Sequence, residues 1–207
     1  MTTETKRLNE VMQIPTSKGW NGLQGSLRKQ TEADLAIINK YGDWKKFAKQ
    51  FNPDLQKHCA ENIERSFSGS APTVASLVSA YSNEQVRVWI LAQLENLNIY
   101  AGTKNKMNPD QMMMLSDIVM TEYFYLKASE LLLFFFQFKS GKYGELYGSV
   151  DPLRVSSALV EFTAYRREMI FRIEQKQKEE QKRKDEEIRN KVAITWEEYQ
   201  KRKSDRK

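Results

Sequence analysis

The sequence is poor in the residues that most often do chemistry or cross-link a fold. Its 207 residues include one cysteine, Cys59, and one histidine, His58. A lone cysteine forms no intrachain disulfide, so the fold does not depend on an oxidising compartment. A structural zinc site needs about four Cys, His or carboxylate ligands at recognisable spacing, and the chain has no such cluster of Cys and His. His58 and Cys59 are neighbours, and neighbours on a helix diverge by about 100°. They are therefore read as ordinary helix residues, not as a base and its nucleophile.

Long apolar runs are missing as well. The most apolar segment is Leu131 to Phe138, far short of the roughly 20 residues that cross a bilayer. Residues Met1 to Glu10 are polar and offer no apolar core of a signal peptide. The expectation is a cytoplasmic protein with no membrane partner. Glycine (nine) and proline (five) are scarce, while Leu, Glu, Lys, Gln, Ala and Met are plentiful, which makes helix the natural state of this backbone.

The formal charge is +6, but its placement weakens any inference about nucleic acid. From Arg166 onward there are 15 Lys/Arg and 10 Asp/Glu, so five of the six net charges lie in the tail and the body is near neutral. No catalytic motif emerges. Lys139-Ser140-Gly141-Lys142-Tyr143-Gly144 is superficially like a phosphate-binding loop. It lacks the preceding strand, the earlier glycine and the Ser/Thr after the lysine.

Residues 1–30 read as a mobile arm, with Gly19, Gly22 and Gly25 around Trp20 and Leu23, two apolar residues that either anchor the arm or dock a partner. A helical bundle is expected over 31–173. Trp44, Phe47, Ala48 and Phe51 fall at i, i+3, i+4 and i+7, a core face. One helix is predicted from Asp54 to Phe67, and Pro72 fits a first helical position. Asn108, Pro109 and Gln111 fit N-cap, N1 and N3 of a helix that is apolar nearly all round, as is Leu131 to Phe138, so both are placed in the bundle centre. A loop from Ser140 to Ser149 precedes a last long helix starting at Asp151 and Pro152. The core face of its first half is read as Leu153, Leu159, Phe162, Met169, Phe171 and Ile173.

From Glu174 to Lys191 the only large apolar residue is Ile188. Without an a/d seam this is no coiled coil. Acid-before-base pairs four apart, such as Glu168–Arg172, Glu180–Lys184 and Asp185–Arg189, support a protruding charged helix at about 0.2–0.5 kcal/mol each. Region 174–207 ends in an amphipathic hook with Ile194, Trp196 and Tyr199, which either folds back on the bundle or docks in a partner's groove.

Two candidate surfaces follow. Trp20, Leu23, Ile194, Trp196 and Tyr199 are candidates for binding a protein partner. Lys139, Lys142, Tyr143, Tyr147 and Arg154 mix cations and aromatics around a glycine-rich loop, a mixture suited to stacking on single-stranded nucleic acid. The competing reading is that these glycines and tyrosines serve the local turn and packing.

The stretch Met107 to Pro152 carries a Met-x-x-x-Gln helix start (Met107, Gln111), an aromatic block (Glu122 to Leu126) and a Gly-Lys-Tyr-Gly-Glu-Leu-Tyr turn (Gly141 to Tyr147). With Trp89, Leu94, Leu97 and Asn98 upstream, it resembles an uncharacterised helical family of Bacteroidetes phages and mobile elements. The resemblance runs from near Pro72 to Phe162, with the arm and tail outside it. It implies no catalytic residues and no cofactor. By analogy of architecture with helicase loaders, it points to a replication adaptor whose protein partner would be a replicative helicase in a bacterial cytoplasm. A nucleic-acid-binding protein and a virion scaffold component are the alternatives.

Overall fold

The computed structural model describes residues 31–145, 148–192 and 196–204, and within them the chain is an all-α bundle. The helices are α1 (Glu32–Tyr41), α2 (Trp44–Gln50), α3 (Gln56–Glu61), α4 (Ile63–Ser68), α5 (Val74–Ala80), α6 (Asn83–Ala101), α7 (Pro109–Glu122), α8 (Ala128–Lys139), α9 (Pro152–Val192) and α10 (Trp196–Ser204), with a 3-10 turn at Pro53–Leu55. Extended pairing among the described residues is limited to two isolated bridges, Thr73 with Lys127 and Asn105 with Ser149. The arm over 1–30, with Trp20 and Leu23, lies outside the described residues.

Most boundaries follow from local chemistry. Thr31 caps α1 by accepting the Asp34 N–H, and Asp34 returns a bond to the Thr31 N–H at 3.0 Å. Asn108 and Gln111 close the same reciprocal box on α7, with Pro109 at the first turn. Two expectations fail at turns. The helix predicted from Asp54 to Phe67 is broken at Asn62, whose backbone leaves helical geometry and whose side chain accepts the Arg65 N–H to start α4. Pro72 does not open α5. Thr73 caps it instead, while the Pro72 carbonyl accepts the Ala128 N–H and Val74 N–H reaches the Leu126 carbonyl. This cross-link ties the start of α5 to the start of α8.

Helix α8 forms the axis of the bundle. Leu131, Leu132, Leu133, Phe134, Phe135 and Phe138 are all buried, and α3, α4, α6 and α9 pack around them. Each such side chain withdrawn from water contributes roughly 1.5–3 kcal/mol. Phe134 meets Phe162 of α9 edge-on at 5.5 Å, and Phe67 stacks on Phe162 at 6.1 Å. A second aromatic cluster joins α1, α2 and α6, where Phe47 packs on Tyr41, Trp44, Phe51, Tyr81 and Trp89. Helix α7 is not central as expected. It buries Leu115 and Val119 against the bundle, but Met114 is 64% exposed.

Among the described residues, buried polar side chains are paired. Glu130 is 0% exposed, and its carboxylate accepts the Lys127 N–H at 2.9 Å and Arg166 Nε at 2.9 Å, linking α8 to α9. Burial pushes its carboxyl above the usual range, and the Lys127 N–H and Arg166 oppose that shift. Asn98 clamps the backbone of Met107 from both sides, accepting its N–H at 3.1 Å and donating to its carbonyl at 3.0 Å. That clamp fixes the connection from α6 to α7.

Candidate functional site

The glycine-rich loop after α8 is built inward. Tyr143 is 4% exposed, packs on Phe134 and Phe138, and donates its hydroxyl to Gln137 Oε1 at 2.6 Å. Burial raises its phenol above the ordinary value. Such a ring presents no face to a base. Lys139 is half-buried. Its ammonium donates to Gln56 Oε1 at 2.7 Å and to Asn96 Oδ1, and it sits over the Tyr100 ring at 5.7 Å. Burial lowers its pKa, with Asp54 opposing. Gln56 extends the chain to Gln93, which with Trp89 donates to the Phe51 carbonyl. Lys139 thus closes a polar relay across α3, α6 and α8.

Lys142 and Arg154 come nearer the surface, yet both are engaged. Lys142 Nζ lies 3.3 Å from the centroid of the Tyr165 ring on α9, a close cation–π contact, and partial burial lowers its pKa. Arg154 reaches Glu161 at 3.6 Å and covers Gly144. The backbone at Gly144 has φ +94°, the left-handed region that favours glycine. Tyr147 lies outside the described residues. Of the five residues proposed for nucleic-acid contact, Tyr143 is buried and Lys139 half-buried, and both are bonded within the bundle. Lys142 and Arg154 hold the loop against α9.

The C-terminal candidates are arranged differently. Every side chain described from Lys176 to Lys191 faces solvent, and the Lys176–Glu64 pair at 3.0 Å ties the start of this stretch to α4. Of the expected pairs, Glu168–Arg172 (3.9 Å) and Glu180–Lys184 (2.8 Å) form, whereas Asp185 accepts from Gln181 Nε2 at 2.7 Å in place of Arg189, and Arg183–Glu187 pairs in the reverse order. At the far end Trp196 is 71% exposed and stacks on Tyr199 with centroids 5.6 Å apart. Ile194 lies outside the described residues.

Two features escaped the sequence reading. A cleft of about 370 Å³ opens between α1, α3, α4 and the Gly69–Ala71 segment, lined by Lys40, His58, Cys59 and Arg65 among others. Its walls are largely self-satisfied: Lys40 Nζ bonds Ser70 Oγ, Tyr41 donates to the Ser70 carbonyl at 3.0 Å, and His58 Nδ1 contacts Glu61 at 2.9 Å. Burial raises the Cys59 pKa, which keeps it a thiol and a poor nucleophile.

The other feature is on α9. Leu153 and Phe171, read from sequence as core, are 75% and 60% exposed, and Val160 is exposed with them. The core face is Val155, Ala158, Leu159, Phe162 and Ile173. At 100° per residue the three exposed residues fall within about 20° of one another, on the side opposite that core face. Their spacing of seven and eleven is a signal that the sequence contains.

Among the described residues no helix is long and apolar enough to cross a membrane, and no group of three or more His, Cys, Asp or Glu is placed to hold a metal ion. Compared with known proteins, the chain matches no curated protein and no solved structure. A family match does exist, and its limits differ from those of the resemblance above: it omits Pro72 to Asn105 and takes in the charged tail. Residues 106–207, which carry α7 to α10 with the loop, the outer stripe of α9 and the hook, match the model of a family of unknown function, DUF6633.

Proposed function

We propose that this chain is a non-catalytic interaction protein, an adaptor that presents an aromatic-tipped helix to a protein partner at the end of a charged stalk. The observation that carries the reading is α10. Trp196 and Tyr199 stack on each other yet stay largely in water, beyond a solvated stretch of α9 that spans roughly 28 Å from Ile173 to Val192. Exposed Trp and Tyr on one helix are typical anchors for a hydrophobic groove, and such residues dominate binding energy where they are found. Ion pairs such as Glu180–Lys184 support the stalk helix at about 0.2–0.5 kcal/mol each, which favours a hook presented away from the bundle.

The resemblance to helical proteins of mobile elements makes a replicative helicase the first partner to test. Purified full-length chain and a Trp196→Ala/Tyr199→Ala variant would be compared for complex formation with the host helicase by size-exclusion chromatography. Both residues are exposed, so the variant should keep the wild-type circular dichroism spectrum. A complex formed by the wild type and lost in the variant supports the adaptor reading. No complex with the helicase or any other replication protein would overturn it. Retention of single-stranded nucleic acid with steep salt dependence would then favour a direct binder.

A further inference from the structure

We infer that the outer face of α9 is a self-association surface, and that a second copy of this chain pairs with it in antiparallel register. Helix α9 has two apolar stripes on opposite sides. The inner one packs on the bundle, and the outer one, with Leu153, Val160, Ala164 and Phe171, is left in water. Positions 153, 157, 160, 164, 167 and 171 alternate steps of four and three, which is the spacing of a two-helix seam.

The seam is self-complementary when one helix is reversed about a twofold axis near position 162. Leu153 of one copy then faces Phe171 of the second, Val160 faces Ala164, and Ser157 faces Arg167. Large side chains meet apolar partners at the ends and a small one in the middle. On one flank Glu168 meets the Arg154 of the second copy, and between these two opposed pairs Glu161 meets the Glu161 of the second copy on the axis, each drawn to the Arg154 of its own chain. Shape sets the register, and the two Arg154–Glu168 pairs favour it. A twofold pairing of this kind closes on itself and leaves no repeating surface.

A receptacle already exists at the seam's end. Met114, Ile118, Pro152 and Leu153 line an apolar groove of about 350 Å³ between α7 and α9. In the antiparallel register the Phe171 of the second copy arrives beside Leu153, at this groove. An aromatic ring entering a preformed apolar pocket is the usual anchor of a specific interface. Since the bundle core lies on the opposite side of α9, the two bundles sit outward of the helix pair. The hook is some 25 residues beyond Phe171, so it stays outside the seam. The paired length from Leu153 to Phe171 is about 27 Å, which is small for a specific interface. The dimer should therefore form in the micromolar range.

The test is sedimentation velocity of the full chain across roughly 1–200 µM. The wild type should move from monomer to dimer over that span. Phe171→Glu and Leu153→Lys, both at exposed positions, should each weaken dimerisation at least about tenfold while leaving the melting temperature of the monomer within a few degrees. The double variant, which sets the introduced lysine against the introduced glutamate across the twofold, should recover part of the loss. In a Cys59→Ser background, Leu153→Cys with Phe171→Cys should oxidise to a covalent dimer, and neither single cysteine variant should. A strict monomer throughout, dimerisation insensitive to Phe171→Glu, or efficient cross-linking of the Leu153→Cys variant alone would each overturn the proposal.

Discussion

Replacing Glu130 is the sharpest test of how the bundle is held. Its carboxylate is fully buried on α8 and bonds the Lys127 N–H and Arg166 Nε, both at 2.9 Å. Arg166, itself mostly buried, also lies 5.4 Å from the Tyr125 ring. Glu130→Ala removes the acceptor but leaves the guanidinium in place with little water to replace it. Breaking a buried pair by removing one partner costs about 3–5 kcal/mol, against a total stability for a domain of about 5–15 kcal/mol. Glu130→Gln keeps an acceptor oxygen and the shape, so it should cost markedly less.

The pH dependence carries a second, independent sign. Burial raises the folded-state pKa of Glu130 above its unfolded value. The folded protein then holds the proton more tightly. This group's contribution to stability is full below the unfolded carboxyl value near 4.5 and is lost as pH rises through the folded value. Urea unfolding of wild type and Glu130→Gln from about pH 4 to 7 would separate the two effects, because the difference between them should change in that direction. A loss under about 1 kcal/mol for Glu130→Ala at pH 7, or a wild-type to Gln difference that does not vary with pH, would refute the account.

Two further outcomes follow from the loop. Tyr143→Phe removes the hydroxyl that satisfies buried Gln137 Oε1 and should cost about 1–3 kcal/mol in urea unfolding, with no change in any affinity for single-stranded DNA. Lys139→Met deprives Gln56 and Asn96 of a shared charged donor and should cost about 2 kcal/mol by the same measurement. A neutral effect would mean that water replaces the ammonium and that the relay to Gln93 is not structural.

The capping residue Asn108 was legible because it acts on backbone within three residues of itself. The same locality made the charged half of α9 readable, since its ion pairs lie within one turn of each other. The nucleic-acid candidates were less legible. Tyr143 and Lys139 look like surface residues in or beside a polar glycine-rich segment, and only the tertiary contacts with Phe134, Gln137 and Gln56 bury the first and half-bury the second. Leu153 and Phe171 failed in the opposite direction. Apolar residues in the first half of α9 were read as one face, although their angles divide them into two.

The sequence by itself determined the helical class, the cap at Asn108 and the solvated stalk, because these rest on composition and on contacts between near neighbours. The tertiary structure alone decided which of two apolar stripes on α9 faces the core, which lysine becomes a half-buried donor between helices, and where an open groove remains beside Leu153. Those outcomes depend on elements distant in the chain meeting in space, and one-dimensional periodicity carries no record of which face its neighbours will cover.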